Sequence, residues 1–157
     1  MYEVNYIVRR AVEEDAKELA KLILRFYMFN EEFDKAMEVS SEAEEVSLRI
    51  AEERIRGNNL LMVAAIDSKV VGYVYGAVLE NPLLVRKEIG VLKELYVAPG
   101  FRGMGIARAL VENASRELMK MGVKYIAAEF PSMNLVAEKF YEKLGFRRFV
   151  SIYLREV

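Results

Sequence analysis

The chain has 157 residues, 54% hydrophobic and 30% charged, with a formal net charge of -1; this suits one folded domain over residues 1–157 and excludes a disordered chain. It contains no cysteine and no histidine, which excludes disulfides, thiolate or imidazole metal sites, cysteine nucleophiles and histidine dyads. No apolar run approaches the roughly 20 residues of a membrane span, Met1–Asn5 lacks the blocks of a leader peptide, and no basic cluster is interleaved with aromatics, so the reading is a cytoplasmic protein that binds neither membrane nor nucleic acid.

Residues 6–10 read as a short opening strand. The chain then enters a helix that ends near Asn30. Its second half, Leu22 to Phe29, is apolar nearly all round, the pattern of a helix buried on more than one side, or of one that lines a substrate site or a homodimer contact. Residues 31–54 hold nine acidic and three basic side chains. From Ser40 they read as a second helix with Val46, Ile50 and Ile55 on its apolar side, ended by Gly57-Asn58-Asn59. Residues 60–66 and 70–79 form two strands joined by a tight turn at Asp67-Ser68-Lys69, hence a hairpin.

Residues 89–97 form the next strand, closed by Pro99-Gly100. A long helix follows over 102–121, with Ile106, Leu110, Ala114, Leu118 and Met121 at helical spacing and Gly122 as its stop. A strand at 125–130, a helix at 133–144 and one or two strands within 146–154 complete the order. Mixed strands and helices in this sequence imply a three-layer α/β (α+β) fold.

The segment between the strand at 89–97 and the helix after it carries the chemistry. Gly103 and Gly105 let the backbone approach a ligand without a Cβ in the way. The helix start presents unpaired N–H groups and partial positive charge. Arg102 adds a permanent cation with a planar donor fork, and Ala107 is small. The charge balance agrees, with ten basic and six acidic residues from position 100 onward, as an anionic ligand favours. The dinucleotide fingerprint is excluded because its third glycine position is Arg108, and the Walker loop because no Gly-Lys-Ser/Thr follows. Alone, the Gly-x-Gly marks a generic anion site or a flexible turn.

Val97-Ala98-Pro99-Gly100-Phe101-Arg102-Gly103-Met104-Gly105-Ile106-Ala107 resembles the acyl-CoA loop of the GNAT N-acetyltransferase superfamily. Arg102, Gly105 and Ala107 fill the three fixed places of its Arg/Gln-x-x-Gly-x-Gly/Ala pattern. A second block, Asn134 to Phe146, resembles the helix that follows in that family, with its Asn, its Tyr and its closing Leu-Gly-Phe. The resemblance implies a mixed central sheet of about six to seven strands flanked by four helices. Two splayed parallel strands, 89–97 and 125–130, would hold the pantetheine arm. It further implies acetyl-CoA as acyl donor, no metal, and a cofactor site of Leu95, Tyr96, Val97, Arg102, Gly103, Met104, Gly105, Ile106, Ala107, Asn134 and Tyr141. A bulge near the end of the first splayed strand is expected to free backbone groups there. The N–H of Val97 or a neighbour would polarise the carbonyl, and the first two helices and a last hairpin would shape the acceptor site.

Transfer from a thioester to an amine needs a neutral amine, donors for the carbonyl oxygen and a proton for the departing sulfur. The resemblance makes Tyr141 the acid; the other reading is a core-edge aromatic. Asn134 lies two helical turns before it on the same face, with Val136, Phe140 and Leu144 turned to the core; it serves the cofactor or caps the helix. Glu94 and Glu129, near the ends of the two strands, are the candidate bases acting through a water, or else solvated strand-end carboxylates. The acidic stretch of residues 31–53 favours a cationic amine, on a small molecule or a protein, though most such runs are solvated faces. Tyr27, Phe29, Tyr73 and Tyr75 are candidate lining. The expected function is N-acetyl transfer by direct attack in a ternary complex. The alternatives are a non-catalytic acyl-CoA-binding or sensing module, and a scaffold subunit assembled through the first helix.

Overall fold

A computed structural model describes residues 4–157. Met1 to Glu3, on which the reading of the N-terminus partly rests, lie outside the described residues. Five strands form one sheet in the order β1-β2-β3-β4-β5. They are β1 (Ile7–Arg10), β2 (Leu60–Ile66), β3 (Lys69–Glu80), β4 (Glu88–Val97) and β5 (Ile126–Ala128). The helices are α1 (Ala16–Asn30), α2 (Ala43–Arg56), α3 (Ile106–Lys120) and α4 (Leu135–Lys143). β1 to β4 pair antiparallel with one another, and β5 runs parallel to β4.

The β2–β3 hairpin turns on two residues, Asp67 at φ 47° and Ser68 at φ 68°. Both dihedrals are left-handed, as the turn that matches strand twist requires. The sheet is covered on both sides. One core joins Leu60, Met62, Val74, Leu92 and Val97 to Ile106, Leu110, Ala114 and Leu118 of α3 and to Tyr141 of α4. The other joins Leu61, Val63, Tyr73 and Tyr96 to Leu19, Leu22 and Ile23 of α1 and Ala51 of α2. α2 turns small residues inward: Ser47 and Ala51 are its buried positions, while Val46, Ile50 and Ile55 are only half-buried.

Two irregularities set which side chain faces which core. In β3 the pairing jumps at Val71, and in β4 at Lys93, where Tyr75 pairs with Glu94 but Gly76 pairs with Leu92. Each extra residue reverses the alternation of side chains downstream. Thus Leu92, Leu95 and Val97 all reach the α3–α4 core, although the step from Leu92 to Leu95 is odd.

The sheet has five strands, not six to seven. Residues 146–154 have the strand pattern but join no strand ladder among the described residues. The strand expected at 125–130 is cut to three residues because its partner diverges after Leu92. The helix expected from Arg102 begins at Ile106, since Gly103 and Gly105 both take φ +80°. Val136 is exposed on α4, and Ala137 takes its place against the core.

α3 lies so close to the sheet that a Cβ built on Gly90 of β4 would stand 2.9 Å from Leu118 Cδ1. Gly90→Val should lower stability by about 1–3 kcal/mol through overpacking. Urea unfolding monitored by circular dichroism measures this, and an unchanged midpoint would refute the close contact.

Candidate active site

β4 and β5 run together only over Gly90–Leu92 and Ile126–Ala128. The last bond between them is from Glu129 N–H to Leu92 O, at 2.9 Å. The extra residue Lys93 follows at once. Beyond it Ala98 N–H donates to Val71 O at 2.8 Å, toward β3. Backbone groups alternate in direction along a strand, so Leu95 and Val97 present their N–H groups to the opposite edge, where β5 has left off. Tyr96 has the other parity; its backbone faces β3 and its ring is buried among the α1 residues. The bulge lies two residues before Leu95, in the second half of β4.

The loop after β4 is wound tightly. Phe101 N–H bonds Ala98 O at 2.9 Å, closing a single 3-10 turn over Pro99–Phe101. Arg102 Nε donates to Val97 O at 2.9 Å. Its guanidinium lies 5.4 Å from the Tyr96 ring centre and 5.9 Å from that of Phe29, both favourable cation–π distances. Gly103 and Gly105 take φ values that L side chains rarely adopt, and a Cβ on Gly103 would meet nothing within 4 Å. Gly105 opens α3 with no side-chain cap and no acidic residue in the first turn. Met104 is partly exposed, Ile106 is buried and Ala107 packs against the core. The helix start therefore keeps orphan N–H donors and positive potential beside open space. This donor set fits a pyrophosphate.

Tyr141 sits on α4 in an aromatic cluster. It stacks on Phe130 at 5.4 Å between centres and meets Phe140 and Phe146 edge-on. Burial pushes its hydroxyl pKa above the usual tyrosine value. Asn134 caps the helix, its Oδ1 accepting from Ala137 N–H at 3.0 Å.

The two candidate carboxylates differ. Glu94 is buried, and Arg54 donates to both its oxygens at 2.8 and 2.7 Å. Tyr73 and Tyr27 add hydroxyl donors at 2.8 and 3.0 Å. Burial first, and then the Glu94 charge, raise the pKa of both hydroxyls, keeping them protonated as donors. Burial works against the Arg54 charge, but the hydrogen bonds and charge of Glu94 outweigh it and raise its pKa. Glu94 thus has about all four of its lone-pair directions occupied, and can serve as a base only if a donor leaves. Glu129 is exposed where the strands part. Among the described residues its side chain is in no hydrogen bond or ion pair.

Arg54 was not singled out by the sequence. The signal was there: it follows Ser47 and Ala51 at helical spacing, on the one face of the acidic helix that turns inward. Its guanidinium also stacks on Tyr75 at 3.8 Å, and Tyr75 accepts a hydrogen bond from Asn59 at 2.8 Å.

Residues 10–146 match the family model described as the acetyltransferase (GNAT) family. An uncharacterized N-acetyltransferase of Archaeoglobus fulgidus is 33% identical over 93 residues, which cover 59% of this chain and 63% of the relative. The match therefore spans less than two thirds of that relative. An aminoglycoside N-acetyltransferase, AAC(6')-Iy, solved in complex with CoA, superposes with a TM-score of 0.80 at 17% identity, covering 97% of this chain and 95% of that one. The BH1408 protein of Bacillus halodurans, solved as a tetramutant, superposes with a TM-score of 0.83 at 22% identity, covering 96% and 99%. At these identities the two structures establish the fold.

Removing one partner of the buried Arg54–Glu94 pair strands the other. Arg54→Met should cost about 3–5 kcal/mol, and Arg54→Met with Glu94→Leu should recover much of it. Chemical denaturation of the three proteins measures this; a single variant as stable as the parent would contradict the pair's geometry.

Proposed function

Because the chain belongs to the acetyltransferase (GNAT) family, we propose that it is a single-domain enzyme that moves an acetyl group from acetyl-CoA to a primary amine by direct attack in a ternary complex. The observation that carries this reading is the split between β4 and β5, with two outward N–H groups along one wall and an uncapped, glycine-opened helix start at its mouth. The pyrophosphate rests on the backbone of residues 102–107. The pantetheine arm lies against the free edge of β4 at Leu95 and Val97. Val97 N–H, held in position by the strand, stabilises charge developing on the thioester oxygen without reorganising.

Glu129 takes a proton from the amine through a water, and its exposed carboxylate, in no hydrogen bond or ion pair among the described residues, supports that role. Glu94 positions the acceptor wall through Arg54, Tyr27 and Tyr73. Tyr141 donates a proton to the departing sulfur; its raised pKa keeps that proton in place at neutral pH. With no cysteine in the chain, an acyl-cysteine stage has no seat, which supports direct attack. Acidic residues between Glu31 and Glu53 favour a cationic amine, and the likeness to an aminoglycoside-acetylating enzyme is in keeping with that class.

Tyr141→Phe should lower kcat by about 10²–10⁴-fold while the affinity for CoA is kept. Wild-type turnover should show no basic limb from this group up to about pH 10, because the folded pKa is raised above its ordinary value. Glu129→Gln should lower kcat while the affinity for CoA is kept. Thioester cleavage against a panel of amines gives these values. Unchanged turnover in Tyr141→Phe would remove its role as acid, and tight CoA binding with no turnover on any amine would favour a sensing module.

A further inference from the structure

β3 and β4 outrun the rest of the sheet. β3 pairs with β2 only as far as Gly76, and its last four residues, 77–80, pair with β4 alone. The two strands therefore project as a ribbon, joined by residues 81–87. The joining loop is ordered by its own polar groups. Asn81 N–H bonds Lys87 O at 2.7 Å, and the Asn81 side chain and carbonyl accept from Leu83 N–H and Leu84 N–H, each at 3.1 Å. With the polar groups engaged inside the loop, the apolar side chains stand outside it. Leu83 is 93%, Leu84 53% and Val85 97% exposed, and none of the three packs against either core. Three consecutive aliphatic residues at a projecting tip differ from the scattered single apolar residues of an ordinary surface.

Arg86 and Lys87 follow the tip at once. Both are exposed, and neither is in an ion pair among the described residues. The root of the ribbon has the same character. Gly90 N–H bonds Tyr125 O at 3.0 Å, and Gly90 abuts Leu118 near the end of α3. Exposed Tyr125, Met119 and Met121 therefore lie at this end of the molecule, with the exposed cation of Lys124. The nearest carboxylates, Glu80 and Glu88, face each other across the root and are set back behind the loop.

We propose that this end of the molecule docks reversibly on an anionic lipid surface. Leu83, Leu84 and Val85 enter the boundary between headgroups and acyl chains, and Arg86 and Lys87 pair with the lipid anions. The chemistry of the tip selects this occupant. A convex apolar tip offers no groove to a protein side chain, but it enters a fluid layer without one. Its three side chains hold fewer carbons than a myristoyl chain, which by itself binds only marginally, so docking needs a second, electrostatic contribution; the adjacent cations supply it. No helix is long and apolar enough to cross a membrane. A peripheral contact needs no span, so the expectation of no membrane partner, which rested on the missing span and leader, does not bear on the tip. β4 runs ten residues from the ribbon to Val97, roughly 30 Å, so the docked chain holds the loop of residues 102–107 at the far end from the lipid. The proposal stands on the exposure and charge of the tip, independently of any activity.

Co-sedimentation of the full chain with lipid vesicles tests this. The chain should pellet with vesicles of phosphatidylcholine containing about one third phosphatidylserine, and far less with phosphatidylcholine alone. Arg86→Gln with Lys87→Gln should lower the partition coefficient on the anionic vesicles by roughly 10–30-fold. Leu83→Ser with Val85→Ser should lower it by at least about 10-fold. Both double variants should melt with the parent, because none of these side chains touches the core. The chain has no tryptophan, so Leu84→Trp adds a single reporter, whose emission should shift to the blue on the anionic vesicles and stay unshifted on the neutral ones. No binding to either vesicle would overturn the proposal in favour of a protein partner. Binding unchanged in both double variants, or pelleting without a blue shift, would overturn it by placing the contact elsewhere on the chain.

Discussion

The extra residue at Lys93 in β4 is the constraint on which the rest depends. Before it, the strand bonds to β5 in parallel register; after it, the alternation of both side chains and backbone groups is reversed. The reversal turns Leu95 and Val97 toward the α3–α4 core and their N–H groups toward an edge with no strand to fill it. It also sends Glu94 to the opposite side, under α1 and α2. A single insertion thus opens the gap and assigns the carboxylate to the other layer. A regular β4 would zip fully to β5 and leave no backbone donors to spare.

The layer of α1 and α2 is held to that bulge by polar contacts as much as by apolar ones. Arg54 from α2, Tyr27 from α1 and Tyr73 from β3 converge on Glu94. Such a buried pair is weak evidence for net stability, because desolvation offsets the Coulomb gain. Its value lies in geometry: the bidentate fork fixes where α2 crosses the strand. On the other face the fixing is apolar, with Tyr141 clasped by three phenylalanines and Gly90 admitting Leu118.

Local features were legible in the sequence. The β2 limits coincide with the expected ones, because a seven-residue apolar run bounded by turn residues has one solution. The glycine loop and the α3 stripe were equally plain, and the cap was one of two readings open for Asn134. Features that depend on pairing were not. The bulge at Lys93 has no residue signature of its own: the resemblance alone pointed to one near the end of this strand, and its position appears only when β4 is aligned against β3. Arg54 was hidden in an acidic run that reads as solvated until Ser47 and Ala51 reveal an inward face. The last segment reads as a strand and has the composition of one, but a strand exists only with a partner, and periodicity carries no record of where the partner lies.

We propose that the free edge of β4 and the start of α3 form one binding surface for coenzyme A. Backbone amide NMR of the full chain titrated with coenzyme A tests it directly. The largest shifts should fall together on Leu95, Val97 and the amides of residues 103–107, and exchange with solvent should slow at those positions. Binding that leaves the Leu95 and Val97 amides unmoved, or shifts centred on the α1–α2 layer instead, would contradict it.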